Sequence, residues 1–174
     1  MELMNLMAIL MVGVFAETTY LTVRSFTPTK VAKDSILLDT SVLIDGRIVS
    51  IARSGLISAT LVVPTSVVRE LQFMADKADH DKRERARFGL DIIEQLQALE
   101  EVETQVVDDG ITNQHGVDEQ LIRLAKRWNA KLCTIDYNLN KSSRVQGVVV
   151  VNINELAHAL RVAYLPGETF EVKL

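Results

Sequence analysis

Two aspartates stand directly behind short apolar runs of the kind that make buried strands: Asp39 after Ile36-Leu37-Leu38, and Asp136 after Leu132 to Ile135. Two further acids open helical stretches. Glu70 lies in the first turns of the helix that follows Leu61-Val62-Val63, and Asp118 begins the helix after the loop containing Gly110 and Gly116. If the strands run parallel, all of these acids can meet on the carboxyl rim of one sheet. Carboxylates gathered so closely repel one another unless a cation or protons offset their charge. Mg²⁺ and Mn²⁺, as hard divalent ions, prefer oxygen ligands of this type.

Each acid also has a purely structural role open to it. Asp118 suits an N-cap or a first-turn position, worth about 1 kcal/mol to its helix, and Asp39 and Asp136 suit caps on the helices that follow them. Glu70 is hardest to assign in this way, because Val67, Val68 and Leu71 set it beside an apolar face. Asp45, just before Gly46, is either a supporting acid or a polar residue of the first helix.

The elements that must position these acids alternate regularly. The strand at 36–38 leads into a helix over 41–54, with apolar residues near helical spacing and Gly55 as its stop. A second strand, 61–63, precedes a helix from Pro64 and Thr65 to about Ala78. A charged turn, Asp79 to Glu84, leads to a helix carrying Leu90, Ile93, Leu96 and Leu99 on one face. A strand over 102–107, a helix over 117–128, strands at 132–135 and 148–151, and a last helix over 153–162 complete the pattern. Short β-branched runs separated by amphipathic helices indicate an α/β fold: a three-layer α/β/α sandwich around a central, mainly parallel five-stranded sheet. Such sheets place ligands at the carboxyl ends of their strands.

Composition sets outer bounds. The 174 residues suit one domain with extra sequence at its ends, over 35–163. A net charge of −4 argues against attachment to nucleic acid by global charge alone, without excluding a carboxylate site that a cation neutralises. The lone Cys133 forms no internal bridge and reads as a buried core side chain. His80, His115 and His158 lack metal-binding spacing, and neither a nucleophile triad nor a glycine-rich phosphate loop is present. Residues 1–17 hold an apolar run, Leu3 to Phe15, that is short for a membrane span and lacks a basic leader. It is the end of a truncated span, an interfacial or partner-binding helix, or an apolar terminal helix. Residues 18–34 form a connector interrupted by Pro28, and the tail from 164 to 174 is a turn followed by a strand-like alternation.

The motifs, taken in order, resemble those of PIN domains. Leu38-Asp39-Thr40-Ser41-Val42-Leu43-Ile44-Asp45-Gly46-Arg47 looks like their opening, and Val63-Pro64-Thr65-Ser66-Val67-Val68-Arg69-Glu70-Leu71 resembles their second acidic motif. Val117-Asp118-Glu119-Gln120-Leu121 and Thr134-Ile135-Asp136-Tyr137-Asn138-Leu139 are similar to the third and fourth. Supporting segments, Asp45-Gly46-Arg47-Ile48, Lys82 to Asp91 and Asn138-Leu139-Asn140-Lys141, resemble the bacterial PIN/TRAM-domain, YacL-like group. Those relatives often carry Asn just before the fourth-motif acid, where this chain has Ile135.

The resemblance implies a metal-dependent phosphodiesterase acting on RNA, with one or two Mg²⁺ or Mn²⁺ ions held by Asp39, Glu70, Asp118 and Asp136. Thr40, Ser41, Asp45 and Asn138 would support that set; Thr40 and Ser41 are equally suited to cap the first helix. Arg47, Lys141, Arg144, Arg83 and Arg87 are candidates for phosphate contact, although Asp79, Asp81 and Glu84 nearly neutralise the middle cluster. Relatives with transmembrane helices before the PIN domain and a TRAM domain after it imply a membrane-associated parent facing the cytoplasm, with 164–174 as the first TRAM residues. Exposed apolar residues in the last helix or the N-terminal segment would support a homodimer. The rival readings are a catalytically inactive PIN module that binds RNA or serves assembly, an aspartyl phosphatase, and a toxin of a toxin–antitoxin pair. Ser41 stands where the phosphatase needs its partner acid. With aromatic residues at only 5%, base stacking is not expected as a major theme.

Overall fold

Leu37, Leu38, Leu61, Val62, Val63 and Leu132 are inaccessible to solvent, as expected of strands covered on both faces. They belong to a five-stranded sheet of order β3-β2-β1-β4-β5. The strands are β1 (Ser35–Leu38), β2 (Thr60–Pro64), β3 (Thr104–Val107), β4 (Lys131–Cys133) and β5 (Val150–Val151). Every pairing is parallel, with Leu37 opposite Val62 on one side and Leu132 on the other. The computed structural model describes residues 11–19, 32, 34–110 and 116–160. The rest of the apolar N-terminal segment, most of the connector, His115 and the tail expected to begin a TRAM domain lie outside the described residues.

The chain divides into two units, 1–30 and 31–174. In the first, residues 11–19 form helix α1, with Met11, Val12, Val14 and Phe15 exposed along it. Among the described residues no helix is long and apolar enough to cross a membrane.

In the second unit, helices α2 (Thr40–Asp45), α3 (Arg47–Arg53), α4 (Thr65–Lys77), α5 (His80–Gln97), α6 (Val117–Trp128), α7 (Tyr137–Val145) and α8 (Ile153–Ala159) flank the sheet. The helix expected over 41–54 is two helices. Gly46 sits between them at φ +79°, a left-handed conformation that closes α2 by returning its N–H to Val42 O. Phe88 of α5 lies so close that a Cβ on Gly46 would come within 2.7 Å of its ring. The α4 and α5 pair is similarly tight, because Gly89 lets Leu71 approach.

The turn expected over 79–84 is already helix. α5 starts at His80, with Asp79 as its N-cap residue. The charges there are spaced for helical neighbours, Asp79 with Lys82 and His80 with Glu84. Helix α7 is absent from the sequence expectation. Only Leu139 and Ser143 of its nine residues are buried, too few to print an apolar stripe. The fourth strand ends at Cys133, two residues earlier than expected, leaving Thr134 and Ile135 to the loop at the rim.

Candidate functional site

The strand order brings the acids together. The chain lays down β1, β2 and β3 toward one edge, then returns to place β4 and β5 on the other side of β1. The switch lies between β1 and β4, where α/β sheets open a crevice at the carboxyl ends of their strands. Asp39 and Asp136 leave these two neighbouring strands on that side.

Asp39 is 5% exposed and is built into the crevice floor. Its N–H donates to Cys133 O across the β1–β4 seam at 3.1 Å. Its Oδ2 accepts from the Thr134 hydroxyl at 2.8 Å and from the hydroxyl and N–H of Ser41. Thr134 then accepts from the N–H of Asp136 at 3.0 Å, and Ser41 Oγ accepts from the N–H of Ile135 at 3.2 Å. Two hydroxyls thereby staple the loop after β4 to the acid after β1. Cys133, directly below, has its thiol pushed up to about 12 by burial and then by the Asp39 charge, which leaves it unreactive.

The other acids surround this floor. Asp136 is exposed and caps α7, its Oδ1 accepting from the Leu139 N–H at 2.8 Å. Glu70, half-buried on α4, accepts a short hydrogen bond from the Thr40 hydroxyl. Burial raises the Glu70 carboxyl above its ordinary range; the Thr40 bond opposes this, and the charges of Asp39 and Asp118 add to the rise. Asp118 is the second residue of α6, whose N-cap residue is Gly116, so it does not cap by its side chain. Partial burial raises its carboxyl first, and then the charges of Asp39 and Asp136. All four acids thus share one electrostatic field of negative sign, although they come from β1, α4, α6 and the loop after β4.

Among the described residues, no three carboxylate, imidazole or thiol groups are set to enclose a single ion. The donor set nevertheless fits a hard divalent cation that keeps some of its water and takes only one or two carboxylates directly. It is all oxygen, and among the described residues no basic side chain pairs with these acids and no donor reaches the second oxygen of Asp136.

The remaining sequence candidates are placed as follows. The hydroxyls of Thr40 and Ser41 go to Glu70 and Asp39, while Asp39 itself is the α2 N-cap. Asp45 is gripped by Arg47 at 2.6 and 2.9 Å, a pairing that holds its carboxyl below the ordinary range, and Arg47 also reaches Asn154 at 2.6 Å. Arg144 forks onto both oxygens of Glu155 at 2.7 and 2.8 Å. Arg83 donates to Ala78 O at the end of α4. Asn138 and Arg87 are exposed, and the Lys141 ammonium stands 6.0 Å from the centre of the Tyr137 ring.

Two residues escape sequence reasoning. Thr134 is the hydroxyl that links both aspartates, and nothing local distinguishes it from any other strand-end threonine. Asp109, with a fully buried side chain, accepts from the Thr65 hydroxyl at 2.8 Å and the Ser66 N–H at 3.3 Å. It seats the N-terminus of α4, the helix that carries Glu70. Its signal was available: Asp108-Asp109 follows β3 just as Asp39 follows β1.

The chain is similar to three bacterial proteins of related description. It is 41% identical over 138 residues to the uncharacterised PIN and TRAM-domain containing protein YacL of Bacillus subtilis (strain 168), covering 79% of this chain and 38% of that protein. It is 42% identical over 141 residues to slr1972 of Synechocystis (79% and 38% covered), and 38% identical over 136 residues to TTHA0540 of Thermus thermophilus (78% and 40% covered), both of the same description. The chain therefore spans about two-fifths of the length of these relatives. No family model matches it. Its fold is shared with a domain of a functionally unknown protein from Methanocaldococcus jannaschii DSM 2661, at a TM-score of 0.56 and 24% identity over 80% of this chain and 98% of that one. With its all-parallel sheet, its acid-lined switch point and these relatives, the chain belongs to the PIN-domain family, a nuclease-type fold, alongside the bacterial PIN and TRAM-domain containing proteins.

Proposed function

We propose that this domain is a divalent-metal-dependent phosphodiesterase that hydrolyses RNA at the crevice between β1 and β4. The observation that carries the reading is the gathering of Asp39, Glu70, Asp118 and Asp136 at one rim of the sheet, where burial first, and then their acidic neighbours, raise the carboxyls of Glu70 and Asp118. A site whose charge opposes itself in the free protein is one that a cation relieves.

One or two Mg²⁺ or Mn²⁺ ions, held by these carboxylates, would supply Lewis-acid stabilisation of phosphoryl charge and activation of water. The chain's own residues supply orientation. Thr134 and Ser41 hold Asp39 in one rotamer, and Thr134 ties the Asp136 backbone to it, so the two central acids keep a fixed separation. Thr40 donates to Oε2 of Glu70 and so restrains that carboxylate on α4. RNA as the substrate rests on the PIN resemblance and on the TRAM domain in the relatives' names.

The test is cleavage of a labelled single-stranded RNA with Mn²⁺ or Mg²⁺ by wild type, Asp39→Asn and Asp136→Asn. Metal-dependent cleavage lost in both variants supports the proposal; cleavage that survives both removes the assigned site. A second reading, a PIN module that binds RNA or serves assembly without turnover, is favoured by the lack of a ready three-ligand cage among the described residues. It gains if wild type binds metal through these acids yet cleaves nothing.

A further inference from the structure

We propose that Tyr137 is a stacking platform for a nucleobase next to the scissile phosphate, with Lys141 contacting the adjoining backbone; the inference rests on the nuclease reading for its substrate class. Tyr137 is the first residue of α7, immediately after Asp136, and 73% of it is exposed. The turns of α7 pack through Leu139 and Ser143, so the Tyr137 ring adds nothing to the core. Its backbone is already fixed by two independent devices, the Asp136 cap on Leu139 and the Thr134 bond to the Asp136 N–H. An aromatic ring with few rotatable bonds on a pinned backbone loses little freedom when a ligand lands on it.

The other exposed aromatic residues described in the second unit, Phe73 and Phe88, lack this setting. Phe88 is turned onto Gly46, and Phe73 lies within α4, paired with Lys77. Of the described aromatic residues, only Tyr137 directly follows a carboxylate at the carboxyl edge of the sheet. Lys141, one helical turn on, holds its ammonium 6.0 Å from the ring centre. Arg47 and Arg144 are occupied by Asp45, Asn154 and Glu155, whereas the Lys141 ammonium has the ring as its neighbour and gains by moving to a phosphate. A base on the ring and a phosphate at Lys141 would set one nucleotide step beside Asp136. Stacking on one ring discriminates weakly among bases, so the preference created is for unpaired over paired RNA.

The experiment is titration of a single-stranded RNA carrying 2-aminopurine, in Ca²⁺ so that the charge of the acids is offset, with the RNA checked on a gel to confirm that it stays intact. Wild type, Tyr137→Phe, Tyr137→Ala and Lys141→Ala are compared, with Val145→Ala at the far end of α7 as a control. Wild type, Tyr137→Phe and Val145→Ala should quench 2-aminopurine, while Tyr137→Ala should abolish the quench and weaken binding by about 5- to 100-fold. Lys141→Ala should keep the quench but reduce the salt dependence of binding. Equal binding and quenching by wild type and Tyr137→Ala, or no RNA binding by wild type, overturns the proposal. Tyr137-dependent binding without cleavage in Mn²⁺ leaves the platform standing and removes the nuclease reading. Cleavage in Mn²⁺ that is indifferent to Tyr137 does the reverse.

Discussion

Replacing Thr134 with valine keeps the shape of a side chain with no solvent exposure and removes only its hydroxyl. That hydroxyl donates to the buried Asp39 carboxylate at 2.8 Å and accepts from the Asp136 N–H at 3.0 Å. A hydrogen bond to a charged group is worth about 1.5–3 kcal/mol, and an N–H left without its acceptor costs about 1–3 kcal/mol. The lower part of each range applies here, because Ser41 still donates to Asp39 and water can reach the exposed Asp136. The expected loss is therefore about 2–4 kcal/mol, which at about 2–4 °C per kcal/mol for a chain of this size lowers Tm by about 5–15 °C. Thr134→Ser, which keeps the hydroxyl, should lose about 1 kcal/mol for its methyl group. Urea denaturation of both variants, with cleavage assayed in parallel, measures the difference. If Thr134→Val lies within about 0.5 kcal/mol of wild type, the hydroxyl does not hold the two aspartates and the positioning argument fails.

Glu70 and Asp118 are held above their ordinary values of 4.5 and 3.8, so folding opposes their ionisation. Their contribution should weaken the metal-free fold as pH rises through the window above those values, and the loss should recover as pH falls back toward them. Tm between about pH 5 and pH 7 in EDTA should vary less in Glu70→Gln than in wild type, and Mn²⁺ should stabilise wild type more at the upper end; the opposite slope would contradict the burial and mutual repulsion that raise these carboxyls. Gly46→Ala places a Cβ against Phe88 at φ +79°, so a loss of at least about 2 kcal/mol is expected in urea denaturation, only partly relieved by adding Phe88→Ala. Cys133, 1% exposed and with its thiol pushed up to about 12, should resist a thiol-specific reagent in the native protein and react on unfolding. Rapid labelling under native conditions would show that the floor beneath Asp39 opens.

Local chemistry wrote much of this protein into its sequence. Ile36-Leu37-Leu38 and Leu132-Cys133 are short, apolar runs of the length that suits buried strands, and an acid just past such a strand emerges at a sheet edge. The parallel sheet and the candidate acids were legible for that reason. Elements with little to bury were not. Helix α7 hides because only Leu139 and Ser143 face inward, and the split at Gly46 hides because residues on either side keep helical spacing. Tertiary structure alone decided the strand order, since periodicity says which face of a strand is buried and nothing about which strand lies beside it. That order sets Thr134 against Asp39 across 95 residues of chain and leaves Tyr137 exposed at the rim. Sequence spacing supplied the charges; pairing between distant strands gathered them into one candidate site, because like charges acquire a common field only when the backbone holds them close.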